Sequence, residues 1–184
     1  MALKDIQIQR LLEAHADGLP DHALAESAGI SLASVKRYRR RLELPTTSVT
    51  ARRGKLGERL FAEAARRQGL PLTWRDHETA PYDLRVNGLR VDVKASRQRP
   101  DGTWRYRLHT KRRSFHGEYT YPKDIAADCD VVAFVCLFPD EREPLIYLTP
   151  SAGLPSTVRL KVGGGWDIHW DAWDIFRTSP VLIA

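Results

Sequence analysis

The sequence predicts a mixed α/β protein: a small all-helical segment over residues 1–44, a linker over 45–51, and an α/β domain over 52–184 whose mixed central sheet is flanked by helices. Three observations predict it. Residues 1–44 place apolar side chains at helical spacing and show no strand-like alternation. Residues 81–96 read as two short alternating strands joined by Asn87-Gly88, a dipeptide suited to a two-residue turn in which both positions need positive φ. Residues 130–138, from Asp130 to Phe138, form a continuous apolar run with the length and β-branched content of a strand buried on both faces.

The chain has 184 residues, enough for one domain with a real core and a small appendage. Apolar residues make up 42%, an ordinary globular composition. The formal net charge of +6 favours nucleic acid or another acidic surface as partner. Cys129 and Cys136 lie in or beside an apolar run and read as buried free thiols rather than a disulfide or a metal pair. No apolar run approaches membrane-spanning length, and the first residues lack a signal-peptide core. The expectation is a cytoplasmic protein with no membrane partner.

Ile6, Ile8, Leu11 and Leu12 predict a first amphipathic helix that closes near Gly18. Pro20-Asp21 opens a second, carrying Leu24, Ala25 and Ala28. Gly29 makes a tight turn, and Ser31 is a good N-cap for a third helix over Leu32–Leu42. The stretch from Leu24 to Val35 resembles a helix-turn-helix. That resemblance points Ser31, Ala33, Ser34, Arg37 and Tyr38 at a major groove and brings Lys36, Arg39, Arg40 and Arg41 to phosphates. The basic cluster favours DNA, since phosphate neutralisation dominates affinity. The alternative is a helical bundle with a solvated basic face, or a protein-docking module.

Pro45 and the Ser/Thr run after it read as linker. A helix then spans Ala51–Gly69, with Leu56, Leu60, Phe61 and Ala64 as its apolar stripe. In the hairpin that follows, a two-residue loop pairs Val86 with Leu89, Arg85 with Arg90, Leu84 with Val91, Asp83 with Asp92, and Tyr82 with Val93. One face is then Tyr82, Leu84, Val86, Leu89, Val91 and Val93, and reads as core. The other carries Asp83, Arg85, Arg90, Asp92 and Lys94. Two opposed carboxylates repel, and a divalent cation with hard oxygen ligands compensates that repulsion. Lys94, on the same face, is placed to orient a water or stabilise charge on a phosphate. A solvated face with cross-strand ion pairs explains the same residues without a metal.

Residues 96–113 carry Arg97, Arg99, Arg105, Arg107, Lys111, Arg112 and Arg113, interleaved with aromatics. Trp104–Leu108 alternates and predicts a further strand with arginines outward, a surface suited to a phosphate backbone. Residues 145–150 read as the next strand after Asp130–Phe138, and Trp170–Phe176 as a closing helix. The tail tryptophans read as core or an oligomer interface rather than base-stacking platforms.

Pro81-Tyr82-Asp83 followed by Asp92-Val93-Lys94 resembles the PD-(D/E)XK nuclease signature, with Tyr82 inserted between the proline and the aspartate. Gly54-Lys55-Leu56-Gly57-Glu58 resembles the first helix of that family's core, and the likeness runs from about Arg52 to Phe176. Within the superfamily the chain is similar to the small homing-type endonucleases associated with group I introns. The resemblance implies a restriction-endonuclease-like core and magnesium-dependent phosphodiester hydrolysis, with manganese able to substitute. It implies that Asp83, Asp92 and the Val93 carbonyl hold the metal, that Glu58 completes the shell, and that Lys94 positions or activates the attacking water. Glu63 competes with Glu58, although its neighbours suggest a solvated position.

Three functions compete at this point. The first is a site-specific endonuclease on double-stranded DNA. The second is a structure-specific nuclease of the Holliday junction resolvase type. The third is a non-catalytic DNA-binding regulator on a nuclease fold. The acid-and-lysine set argues against the third, and the basic third helix favours the first over the second. Cutting both strands implies two symmetric sites, hence a dimer or tetramer.

Overall fold

The computed structural model describes residues 3–77, 80–108, 111–113, 120–122 and 124–177. It divides into two compact units that part between Arg53 and Gly54.

The first unit holds α1 (Asp5–Ala16), α2 (Asp21–Ala28) and α3 (Leu32–Arg41). Leu11, Ala14, Leu24, Ala28, Val35 and Tyr38 form its core. Ile6 and Leu12, expected to face inward, are exposed instead, so the buried stripe of α1 runs through Leu11 and Ala14. Gly29 ends α2 in the left-handed region at φ 62°, which a residue without a Cβ adopts without strain. The Ser31 hydroxyl caps α3 by accepting from the Ser34 N–H at 3.1 Å.

Helix α4 (Val49–Arg67) begins inside the expected linker and runs across the boundary. Its buried positions are Gly57, Phe61, Ala62, Ala64 and Ala65, whereas Leu56 is exposed. The central sheet of the second unit has strands β1 (Leu72–Trp74), β2 (Leu84–Val86), β3 (Leu89–Arg97), β7 (Val131–Leu137) and β8 (Leu145–Pro150), adjacent in that order. Only the β3–β7 pair is parallel, so the sheet is mixed. Asn87 and Gly88 take φ values of 46° and 84°, as the two-residue turn requires. The register Val86–Leu89, Arg85–Arg90, Leu84–Val91 is the expected one.

Two layers cover this sheet. One core joins Phe61, Ala64 and Ala65 of α4 to Leu84, Val86, Val91, Val93, Val131, Ala133 and Val135. The chain's last described turns, two short 3₁₀ helices at Asp167–His169 and Trp173–Phe176, replace the expected closing helix. Phe61 stacks on Trp173 there, with ring centroids 5.7 Å apart. Trp170 is exposed. On the other face, β4 (Trp104–Arg107) pairs antiparallel with β9 (Thr157–Leu160) in a separate ribbon rather than extending the central sheet. Trp104, Tyr106, Val158 and Leu160 pack from that ribbon onto Val132, Phe134 and Cys136. Strands β5 (Lys111–Arg113) and β6 (Thr120–Pro122) form a second small ribbon, and the short helix α5 (Ile125–Asp128) precedes β7. Both cysteines are buried, and they form no disulfide.

Arg90 and Asp130 tie the start of β3 to the start of β7. The Arg90 N–H donates to Asp130 Oδ2 at 2.8 Å, and its guanidinium reaches Oδ1 at 2.8 Å. Arg90's hydrogen bonds hold the Asp130 carboxyl below the usual carboxylate range. Folding therefore favours the ionised form. That stabilisation is present above the unfolded-state pKa and is lost as pH falls through the lowered folded value. Asp130→Asn is expected to cost about 1 kcal/mol at neutral pH, discounted for a partly exposed pair. Urea unfolding of the variant should show a smaller drop in stability from neutral to acid pH than the wild type does.

Candidate active site

The strand pair β2–β3 closes with three register pairs and then forks. Asp83 stands at the fork. Its N–H still donates to the Val91 carbonyl at 2.9 Å, but the side chain takes over the next ladder position. Asp83 Oδ2 accepts from the Val93 N–H at 2.8 Å. The expected backbone pairs Asp83–Asp92 and Tyr82–Val93 therefore do not form. The physical reason is that a carboxylate satisfies the Val93 donor and frees the chain to diverge. The divergence also turns Tyr82 over. It packs with the ribbon-side core rather than beside Leu84, and Arg85 lies 4.8 Å above its ring.

Asp92 and Lys94 keep the expected face of β3. Asp92 is only 5% exposed. Lys94 Nζ donates to Asp92 Oδ1 at 2.7 Å and lies 2.6 Å from Oδ2. The second contact is an ion pair without hydrogen-bond alignment, so Oδ2 is a buried oxygen with no hydrogen-bond partner.

Glu58 reaches this fork from the other layer because of its neighbour. A Cβ at Gly57 would collide with the Ala95 Cβ, so only glycine lets α4 lie this close to β3. Burial, then the charge of Asp83, pushes the Glu58 carboxyl above its ordinary value. Burial also raises Asp83; the Val93 N–H opposes that rise and the charge of Asp92 adds to it. Glu58, Asp83 and Asp92 thus form a chain of repelling acids, with Arg75, Lys55 and Lys94 as the cations near them. Arg75 Nη1 sits 3.2 Å from Asp83 Oδ1. The sequence reading missed Arg75. Its only signal was its place just after the strand that pairs with β2.

The oxygens present fit a hard divalent cation on one specific observation, the buried Asp92 Oδ2, which is ion-paired to Lys94 but accepts no hydrogen bond. Asp83, Asp92, Glu58 and the Val93 carbonyl are the donors of the right chemistry. Among the described residues, no three His, Cys, Asp or Glu side chains gather closely enough to hold an ion by themselves. Water and phosphate oxygens would have to complete any shell.

The expected basic residues divide into several groups. Arg105 and Arg107 are exposed on the outer face of the ribbon. Arg97 is not with them; it lines a cavity of about 580 Å³ on the α4 side, alongside Glu63, Glu141 and Glu143. Arg99 is exposed in the turn before β4. Lys111, Arg112 and Arg113 form β5, and their side chains lie outside the described residues. In the first unit Ser31, Lys36, Arg37 and Arg40 are exposed, and Ser34 is half-buried under Ser31 and Arg37. Tyr38 is corrected: it is 4% exposed in the core, and its hydroxyl accepts from the Leu3 N–H at 2.7 Å. Arg39 is also turned away, paired with Asp21. Val35 and Tyr38 are three apart, so one inward stripe takes both.

No family model matches the chain. No curated protein matches it in sequence. Its fold is similar to the solved structure of a bacterial homing endonuclease, I-Ssp6803I, with a TM-score of 0.54 and 19% sequence identity. That match covers 70% of this chain and 93% of the other. The chain therefore has a mixed α/β fold of a kind that a nuclease uses. No described helix is long and apolar enough to cross a membrane.

Proposed function

We propose that the protein is a metal-dependent DNA endonuclease of the PD-(D/E)XK type, acting site-specifically on double-stranded DNA, with its active centre at the β2–β3 fork. The observation that carries this reading is the buried Asp92 carboxylate, ion-paired through Oδ2 to Lys94 Nζ at 2.6 Å with no hydrogen bond on that oxygen. Burying a charged pair costs desolvation, and perturbed buried charges cluster where chemistry uses them.

Asp83, Asp92 and the Val93 carbonyl would hold magnesium, and manganese would substitute; Glu58 would reach the shell through water. A bound magnesium lowers the pKa of a coordinated water and neutralises charge on the phosphate. The chain's own residues do the rest. Val93 N–H and Arg75 fix the rotamer of Asp83. Lys94 Nζ, restrained against Asp92, presents its remaining protons to an attacking water or a phosphate oxygen. The close packing of Gly57 on Ala95 sets how far Glu58 leans in.

The first unit serves as a helix-turn-helix reader on this account, with Ser31, Ser34, Lys36, Arg37 and Arg40 toward DNA, and two or more copies assemble to cut both strands. The test is cleavage of linear, supercoiled and four-way-junction DNA by one preparation, with magnesium and with chelator. Cutting of duplex at a discrete site supports the proposal. Cutting confined to junctions favours the resolvase type, and binding without cutting on any substrate favours a non-catalytic regulator. Joint replacement of Lys36 and Arg37 by Ala should erase discrimination between matched and scrambled duplex while residual cutting persists. Unchanged discrimination would remove α3 as the reader.

A further inference from the structure

Strand β9 and the residue that follows it carry two basic side chains, Arg159 and Lys161, without an assigned role. Thr157-Val158-Arg159-Leu160-Lys161 alternates, with Val158 and Leu160 buried and Thr157, Arg159 and Lys161 exposed. The register of the ribbon sets Arg159 directly opposite Arg105, and Thr157 opposite Arg107. Like charges directly opposed across a strand pair are destabilising. Some other arginines of this unit pair with acids, as in Arg67–Glu143, Arg75–Asp83 and Arg90–Asp130. Arg105, Arg107 and Arg159 have no ion pair or hydrogen bond to any described side chain. The nearby acid, Asp101, accepts from the Thr103 N–H at 3.0 Å and its hydroxyl at 2.7 Å, and its charge interacts with Arg99 and Arg159 without forming an ion pair.

The platform beneath these cations is fixed. Trp104 Nε1 donates to the Leu137 carbonyl at 2.9 Å, and the Tyr106 hydroxyl donates to the Val135 carbonyl at 3.0 Å. Residues two apart along a strand are about 7 Å apart, and neighbouring strands about 5 Å. The outer face is therefore a small rigid array in which Arg105, Arg107, Arg159 and Lys161 outnumber the acid that acts on it, Asp101. A polyanion with regularly repeated charge compensates the excess; a single small anion neutralises only part.

We propose that the β4–β9 ribbon binds the phosphate backbone of duplex DNA, with Arg159 and Lys161 acting beside Arg105 and Arg107 as a sequence-independent grip. This rests on the DNA reading above, and its failure is distinguishable from a failure of that reading. The experiment is binding of the full-length protein to fluorescent duplexes, matched and scrambled, in chelator across a salt series. Wild type, Arg159→Ala, Arg159→Lys and Arg159→Glu are compared, with thermal unfolding of each.

Arg159→Ala should weaken both duplexes alike and make the salt slope shallower by about 0.9. Arg159→Lys should keep the slope. Arg159→Glu should lose more affinity than Arg159→Ala, because it reverses the charge presented to the phosphates. An unchanged slope in Arg159→Ala overturns the proposal. So does loss confined to one sequence, or equal loss in Arg159→Lys. Wild type that binds no duplex at low salt overturns the DNA reading itself, and the ribbon proposal with it.

Discussion

Asp92→Asn is expected to reduce magnesium-dependent cleavage by about 10³-fold or more, equivalent to at least about 4 kcal/mol of transition-state stabilisation. Asparagine keeps the shape but removes the charge that would hold a cation at the fork. Lys94→Ala should abolish cleavage to a similar degree, and the two variants should differ in stability. Asp92→Asn leaves a lysine that is 27% exposed and can turn to solvent. Its effect on folding should stay within about 1 kcal/mol. Lys94→Ala strands a carboxylate that is only 5% exposed and costs about 3 kcal/mol. Millimolar magnesium should return part of that loss by binding the native state. Combining both substitutions should recover stability without recovering activity. Urea unfolding with and without magnesium, beside single-turnover cleavage, reads both effects. Wild-type cleavage by either single variant would end the assignment of this site.

Phe61→Ala should cost about 3–5 kcal/mol, the largest stability loss of the predictions made for this chain. Phe61 is fully buried, stacked on Trp173 and 6.4 Å from Phe176. It joins α4 to the sheet and to the last described turn in one cluster. The cavity cannot collapse easily, because its walls are a helix, a sheet and two aromatic rings. Four positions earlier, Gly57 sets the close approach that carries Glu58 toward the fork. Urea unfolding followed by tryptophan fluorescence measures the loss, since Trp173 reports on the same contact. A loss under 1 kcal/mol would mean that the stacked cluster is not a single packed unit.

Much of this was readable from residues alone. Asn87-Gly88 fixed the hairpin turn and three register pairs, because the turn chemistry admits few alternatives. The Asp130–Phe138 run appeared as the buried strand β7, and the Trp104–Leu108 alternation as β4 with its arginines outward. The fork was not readable. A side chain that replaces a main-chain partner leaves no periodic trace, so the expected pairing runs two residues too far, through Asp83 and Tyr82. Arg75 was missed for a related reason: it matters through one contact that the fold creates. Tyr38 was misassigned although Val35 and Tyr38 share a helical stripe, because a tyrosine beside arginines also suits a DNA-facing surface. Arg159 carried a visible signal, the alternation from Thr157 to Lys161, but nothing local tied that strand to Arg105.

The central claim is that the fork at Asp83, Asp92 and Lys94 is a metal-dependent phosphodiester-cleaving centre. The most direct measurement is single-turnover cleavage of one supercoiled DNA by wild-type protein, in millimolar magnesium and in chelator. The account predicts cut product with magnesium, none in chelator, and restoration when excess magnesium or manganese is added back. Cleavage that continues in chelator, or no cleavage under any metal condition by protein that binds the DNA, would contradict it.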